Sequence, residues 1–330
     1  MNNQNFLCRT NVTALVLLLL AWLVPPLSGQ ERYVLARDLS IGIDIGDEDQ
    51  MFGSISQIGL DGKDNIYVLD GKNSRIQKFD PQGNFVSSLV IAQGQGPSEV
   101  SLMGSFAVTP LGRIYVMDLG TKKIITFDQA GEFHTSQILA YQCSDISHYT
   151  HEQAAVLGIE DEKIVHIYDF DGRHVESFGD PFEVPSRLSQ YRDIPMVRLP
   201  LRFSSTGAGK VFVLNPHTYE IRVYVGGRAQ ESIRGKNETF KPLSIGKSNI
   251  GGIGIMFPTV VVLERGNRLY VTLFWRITEG LHQLDIFEDG QAVHSQEING
   301  IVMAVDSRGG LYVAEEVDYP QVVRYRVDSR

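Results

Sequence analysis

The stretch GKDNIYVLDGKNSRIQKFDPQGNF, residues 62–85, recurs about fifty residues later as LGRIYVMDLGTKKIITFDQAGEF, residues 111–133. Each copy joins two runs that are rich in β-branched and aromatic residues, and Gly, Asp and Asn lie between the runs. Such a repeat indicates that the chain is built from copies of one small structural unit.

Two short anchors mark the further copies. The first anchor is NIYV (65–68), RIYV (113–116), KVFV (210–213), RLYV (268–271) and GLYV (310–313), with AAVLGI (154–159) predicted as the missing copy in the longest gap. The second anchor is RIQKFDPQG (75–83), KIITFDQAG (123–131), KIVHIYDFDG (163–172), EIRVYVGG (220–227), HQLDIFEDG (282–290) and VVRYRVDS (322–329). The two anchors independently predict six units.

Each unit reads as four strands. The second anchor alternates with period two, and in the first unit we expect strands at 54–61, 65–70, 75–80 and 85–90. A period of about fifty residues made of four antiparallel strands is typical of a propeller blade. The sequence therefore predicts an all-β, six-bladed β-propeller, with blades at 52–92, 101–141, 143–180, 197–236, 257–298 and 300–330 plus 32–43.

The last unit contains only three strands, at 301–306, 311–315 and 322–327. A strand that belongs to no unit, YVLARDLSI (33–41), lies near the beginning of the chain. Placed outermost in the last blade, it closes the ring and removes an exposed sheet edge. We therefore predict that residues 32–41 pair with residues 321–328.

The N-terminal segment predicts export. Arg9 precedes an apolar run, VTALVLLLLAWLV (12–24), which is followed by Pro25, Pro26 and small residues. This pattern is typical of a secretory signal peptide, here residues 1–29, and the run is short for a membrane span. We expect a periplasmic or extracellular protein with no other membrane contact, the alternative being a protein anchored by an uncleaved leader.

Composition and cysteine content exclude several classes of protein. At 43% hydrophobic and 21% charged residues the chain has an ordinary globular composition, and its net charge of −9 argues against nucleic acid as a partner. Cys8 lies in the leader, which leaves Cys143 without an internal disulfide partner or a zinc-binding thiol set. Cys143 is expected to be a half-buried strand residue, the alternatives being a nucleophile or a cysteine that pairs between chains. We expect a monomer.

The first unit resembles NHL repeats. The matching residues are Asn65, Ile66, Tyr67, Val68, Asp70, Asn73, Arg75, Ile76, Phe79, Asp80 and Gly83, and the second unit matches at Ile114, Tyr115, Val116, Asp118, Phe127, Asp128 and Gly131. GQGPSEV (94–100) is similar to a connector of bacterial exported six-bladed propellers. The resemblance implies the fold, and this fold supports many activities.

Candidate binding residues lie in the loops that join second to third strands. They are Asp70, Lys72, Asn73, Asp118, Asn215, His217, Trp275, Arg276, Glu315, Glu316, Asp318 and Tyr319. Other interpretations remain open: Asp70 and Asp118 as turn caps, His217 as a solvated turn residue, and Trp275 as a packing lid instead of a stacking platform for a ligand. The acids at 315, 316 and 318 could hold a divalent cation or form an exposed acidic loop.

Two functions follow from these residues. The first is a non-enzymatic, exported binding module for a protein, peptide or carbohydrate, which would bind through these loops at the mouth of the central channel, with no cofactor and no catalytic residue. The alternative is a metal-dependent hydrolase or lyase, resembling gluconolactonase-type or peptidylglycine-lyase-type propellers, in which Asp70, Asp118, Asn215, Glu315 and also His217 would hold Ca²⁺ or Zn²⁺. The Gly-rich segment 246–254 is predicted as a mobile interblade loop that could fold over the channel mouth.

Overall fold

A computed structural model describes residues 33–236, 240–247, 253–258, 260–276 and 281–329, with the backbone alone at 247, 253, 260–261, 274–276 and 329. The predicted leader lies outside the described residues. The protein is a six-bladed β-propeller of antiparallel blades arranged in a ring, as predicted. No helix in the described ranges has the length and apolar character needed to cross a membrane.

Each blade is a separate antiparallel sheet, and in the first five blades the strands follow one another in sequence. The first blade comprises Ile55–Leu60, Ile66–Asp70, Arg75–Phe79 and Phe85–Val90; the second Met103–Val108, Ile114–Asp118, Lys123–Phe127 and Phe133–Ile138; the third Cys143–His148, Gln153–Glu160, Lys163–Asp169 and His174–Phe178. The predicted missing copy, 154–159, is the second strand of the third blade.

The fourth blade comprises Ser204–Thr206, Lys210–Leu214 and Glu220–Val225, with a split outermost strand, Arg228–Ala229 and Ile233–Arg234. The fifth comprises Val260–Arg265, Arg268–Arg276, Leu281–Glu288 and Gln291–Asn299; the sixth Ile301–Val305, Leu311–Glu316, Pro320–Ser329 and Tyr33–Ile41. The first strands of successive blades are neighbours around the ring, and the first strand of the sixth blade contacts that of the first blade.

The N-terminal strand closes the ring as predicted. Tyr33–Ile41 is the outermost strand of the sixth blade and pairs antiparallel with Pro320–Ser329, with Ser40 opposite Val323. The pairing shifts register between Arg37 and Leu39, which marks a bulge.

The hydrophobic core lies between neighbouring blades. Val68 and Tyr312, both buried, belong to one cluster that joins the sixth blade to the first, and Leu69 and Val116 belong to another that joins the first to the second. Because successive strand residues point to opposite faces, adjacent residues Val68 and Leu69 serve two different interfaces. The central strands are apolar on both faces because each of them packs against both neighbouring blades.

The ring has two different faces. The loop face carries the connections from second to third strands and from blade to blade; the turn face carries the turns from first to second and from third to fourth strands. First strands run from the loop face towards the turn face. A residue early in a first strand therefore lies deep in the channel when viewed from the turn face.

Two interblade insertions pack together on the loop face. Short 3₁₀ helices, Ser186–Tyr191 and Pro195–Val197, precede the fourth blade, and a hairpin, Ser244–Lys247 with Ile253–Met256, precedes the fifth; two further 3₁₀ turns are Glu48–Gln50 and Gly71–Asn73. Leu188, Val197 and Leu243 form a buried cluster between the insertions. Within the predicted loop 246–254, residues 246–247 pair with 253–254, and residues 248–252 lie outside the described residues. Ile245 and Ile255 beside this pair pack against the cluster.

Candidate functional site in the central channel

Asp70 caps the loop of its own blade. Its carboxylate is fully buried, accepts backbone hydrogen bonds from Gly53 and Ser54 at 3.0–3.1 Å, and accepts a further bond from Nδ2 of Asn73 at 2.7 Å. Nε of Arg75 lies 3.3 Å from the same carboxylate. Asp70 and Asn73 are therefore brought together, in a local network.

Asp118 has the same role in the second blade. Its buried carboxylate accepts hydrogen bonds from the backbone of Ser101, Leu102 and Gly120 and from the hydroxyl of Thr121. Burial works to raise the pKa of Asp118, but these donors outweigh burial and hold the pKa below its usual value. The turn-cap interpretation describes this residue.

Hydrogen bonds to other protein groups also occupy Asn215, His217 and Glu315. Oδ1 of Asn215 accepts a bond from the backbone of His217, and Nε2 of His217 lies 2.8 Å from the carbonyl of Val197 in the insertion. Glu315 is buried and accepts a 2.5 Å bond from the hydroxyl of Tyr325. His217 is therefore a buried contact to the insertion, which corrects the alternative of a solvated turn residue.

The remaining candidates occupy the loop-face surface or cannot be placed. Lys72, Glu316 and Asp318 are exposed, and Tyr319 is half-buried. The side chains of Trp275 and Arg276 lie outside the described residues. Within the described ranges, no three His, Cys, Asp or Glu side chains are placed to hold a metal ion.

Cys143 is the first residue of the third blade and is buried, more deeply than the half-buried position expected. Burial raises the pKa of its thiol to about 11, so the thiol is protonated at neutral pH. This environment fits a small packing residue and disfavours a nucleophile.

A cavity of about 470 Å³ occupies the central channel. Its walls come from the first strands of all six blades, and its rim comes from the turns that follow them, at Asp61, Pro110, Gly207, Arg265 and Ser307. The cavity therefore opens on the turn face. This volume falls within the range of small-molecule sites in proteins.

Side chains connect neighbouring first strands around this cavity. The Gln57 amide exchanges two bonds with the backbone of Phe106, Oγ of Ser105 accepts from the backbone of Ile146, and Oγ of Ser204 donates to the carbonyl of Val262. In the same series Oδ2 of Asp145 accepts from the backbone of Phe203 at 3.1 Å. Three neutral residues and one carboxylate thus perform the same structural task.

One carboxyl oxygen of Asp145 makes no hydrogen bond. The residue lines the cavity, is 3% exposed, and its Oδ1 has no hydrogen-bond partner. Burial raises the pKa of Asp145, and the nearby positive charge of Arg202 partly opposes this.

Arg202 crosses the channel. It immediately precedes the fourth blade, and its Nη2 donates a 3.0 Å hydrogen bond to the carbonyl of Ser56 in the first blade, on the opposite side of the ring. This is its one hydrogen bond to the described residues, which leaves the rest of its guanidinium N–H groups without protein partners. Arg202 and Asp145 both line the cavity but do not form a salt bridge with each other.

The channel mouth continues into a groove between the second and third blades. Gly207 borders both the channel cavity and a groove of about 840 Å³ on the turn face. In the groove the Phe170 ring stacks on the His134 ring, with centroids 4.4 Å apart, and the Arg113 guanidinium lies 4.4 Å from the Phe170 ring centroid. The groove therefore combines aromatic rings with paired charges, since Arg113 pairs with Glu152 and His134 with Asp171.

Sequence reasoning missed Asp145 and Arg202. For Asp145 the available signal was an acidic residue within the inner strand of a repeat unit, in a role that Gln57, Ser105 and Ser204 have in three other units. The contact between Arg202 and Ser56 has no local signal, because it joins opposite blades.

Comparison with known proteins agrees with the fold. Residues 46–170 match the DUF5128 family, described as a 6-bladed beta-propeller. No curated protein sequence matches the chain.

Similar solved structures are propellers of low sequence identity. A Bacteroides fragilis protein described as exported has a TM-score of 0.61 at 11% identity, over 90% of this chain and 95% of that one. A DUF4221 member from Bacteroides vulgatus has a TM-score of 0.58 at 9% identity, over 91% and 100%. An inactive virginiamycin B lyase from Staphylococcus aureus, solved with quinupristin, has a TM-score of 0.52 at 10% identity, over 89% and 99%. These likenesses establish a shared fold.

Proposed function

We propose that this protein is an exported, non-enzymatic binding module that holds its ligand in the central channel. The observation that carries the proposal is the cavity of about 470 Å³, which opens on the turn face and contains an unpaired buried carboxylate oxygen. Export rests on the signal-peptide pattern of residues 1–29 and is in keeping with the exported structural neighbour.

The chemistry of the cavity favours binding over catalysis. A rigid ring holds Asp145 and Arg202 at its deep end, and apolar residues such as Ile58 and Val262 line the walls. A concave, mostly apolar site with a few convergent polar groups is the usual form of a ligand pocket. His148, which lines the same cavity, has its pKa lowered to about 4 by burial and by the charge of His151, so at neutral pH it is an uncharged wall residue.

The test is a binding screen followed by channel filling. The unfolding temperature of the purified protein is measured in the presence of amino acids, short peptides, mono- and disaccharides and nucleosides. Compounds that raise this temperature are then titrated into the protein by calorimetry. Met303 lines the cavity and Val317 is exposed on the loop face, so Met303→Trp and Val317→Trp are matched variants. We expect binding to be lost in Met303→Trp and retained in Val317→Trp.

The reverse result would place recognition on the loop face, where the sequence predicted it. A screen in which no compound class stabilises the protein would remove the proposal of a small-ligand channel.

A further inference from the structure

An ionisable carboxyl at position 145 is more than the fold needs there. Gln57, Ser105 and Ser204 connect neighbouring first strands without a charge, and Asp145 makes its equivalent connection through Oδ2 alone. Burying a carboxylate costs free energy that a neutral side chain would not cost. Oδ1 makes no hydrogen bond, and although the Ser105 hydroxyl, the Ile146 N–H and Arg202 act to lower the pKa of the carboxyl, burial outweighs them.

The guanidinium of Arg202 also makes fewer hydrogen bonds than it could. It is held across the channel by one hydrogen bond to Ser56, and Arg202 lines the same cavity as Asp145. A planar guanidinium matches a carboxylate in a two-point interaction better than any other side chain does. The deep end of the channel therefore offers a carboxylate-binding group beside a separate acceptor for an N–H donor.

We propose that the channel binds an α-carboxylate with a neighbouring N–H group, as in the C-terminus of a short peptide. The ligand carboxylate pairs with Arg202, and the N–H of the same ligand residue donates to Oδ1 of Asp145. This assignment rests on the proposed function, because it names the ligand class of that same site.

The direction and length of the ligand follow from the geometry. Arg202 precedes its first strand and Asp145 is early in its own, so both groups lie at the end far from the mouth. A peptide must therefore enter with its carboxyl end first. Its preceding residues would emerge near Gly207 and reach the groove that contains Phe170.

Ligand analogues test the chemistry without changing the protein. The probes are the peptide Ala-Ala-Leu, its C-terminal amide, and free leucine, each titrated into the purified protein by calorimetry. We expect the free-acid peptide to bind and the amide to bind at least about tenfold more weakly, because charged hydrogen bonds contribute about 1.5–3 kcal/mol. Free leucine, which shares the carboxylate and an N–H donor, should bind more weakly than the peptide because it cannot reach the groove. Equal or tighter binding of leucine would assign the site to free amino acids and overturn the peptide assignment.

Two variants connect the binding to the named residues. Asp145→Asn keeps an acceptor for the backbone N–H of Phe203 and replaces the other oxygen by an amide NH2, which cannot accept a ligand N–H, and Arg202→Lys keeps its charge and removes the planar two-point contact. Arg202→Lys should weaken binding of the free-acid peptide about tenfold or more and leave the weak amide binding nearly unchanged, whereas Asp145→Asn should weaken both, because both peptides carry the N–H donor. Circular dichroism and the unfolding temperature verify that both variants fold.

The outcomes separate this inference from the proposed function. If a sugar or nucleoside binds and Met303→Trp abolishes that binding, the channel is a ligand site but the carboxylate assignment is wrong. If peptide and amide bind equally, the assignment is likewise wrong. If no probe binds at millimolar concentration, Asp145 and Arg202 have only structural roles and both proposals fail.

Discussion

Oδ2 of Asp70 lies 3.3 Å from Nε of Arg75, across the loop that joins the second and third strands of the first blade. The same carboxylate accepts the backbone N–H groups of Gly53 and Ser54, which lead into the first strand. One side chain thus connects three neighbouring parts of the blade. A residue predicted as a binding group has a structural task.

Replacement of Asp70 by alanine should lower the free energy of unfolding by about 3 kcal/mol, because part-buried N–H donors and the Arg75 guanidinium lose their acceptor. Urea denaturation at pH 7 measures this loss. Asp80 is the matched control, since it caps an exposed turn through Gln82 and Asn84. A loss for Asp80→Ala as large as that for Asp70→Ala would contradict the structural role assigned to burial.

A disulfide between the first and last strands tests the register of the ring closure. Ala36 and Arg326 are directly opposite each other in the antiparallel pair. Cysteines at both positions should oxidise readily and stabilise the protein by about 3 kcal/mol, because opposite residues lie within disulfide range. Thiol titration and thermal unfolding with and without reductant measure the effect. The control pairs Ala36→Cys with Tyr325→Cys, whose side chain points to the other sheet face; efficient oxidation of this control would show that the register is shifted.

Buried histidine should make stability depend on pH. His166 is fully buried, and burial lowers its pKa to about 4. The unfolded chain, with a histidine pKa near 6.5, binds a proton first as the pH falls, so the free energy of unfolding should decrease between pH 6.5 and 4. His166 alone contributes up to about 3 kcal/mol to this decrease.

Urea denaturation at pH 7.5, 6 and 5 measures the slope. His166→Gln should flatten it, whereas His174→Gln should change it less, because His174 is exposed although it bonds to the same Ser177 hydroxyl. Identical slopes for the wild type and His166→Gln would show that His166 does not titrate abnormally.

Calcium and zinc should not bind stoichiometrically at the predicted loop-face ligands. The carboxylates of Asp70, Asp118 and Glu315 are each occupied by donors from their own blade or the adjoining connection. Calorimetric titration of chelator-stripped protein with each ion is the measurement. If one equivalent of either ion binds tightly and this binding is lost in Glu315→Gln, the interpretation as a metal-dependent hydrolase or lyase would be supported instead.

The fold could be predicted from the sequence because the residues that specify a blade lie close together in the chain. Tyr67 in a strand, Gly83 in a turn and Phe79 in the next strand recur at short spacing, and each repeat supplies the same information again. The strand at Tyr33–Ile41 could be placed by counting, since the last unit lacked one strand.

The site was not accessible in the same way. Asp70 and Asp118 looked equally suitable as caps and as ligands, because a carboxylate after a strand can serve either purpose. Arg202 and Ser56 meet only when the ring closes. The insertion that buries His217 depends on contacts between two separate connections, and neither connection has a repeat to reveal its structure.

The pairing of Tyr33–Ile41 with Pro320–Ser329 also sets the order of assembly. The strand that is synthesised first cannot form its hydrogen bonds with Pro320–Ser329 until the end of the chain has been made. Until then the growing sheet array has two unpaired edges, which invite pairing with other chains. Completion of the seam thus distinguishes a finished molecule from a fragment, and a protease or chaperone that recognises open edges would act only on unfinished copies.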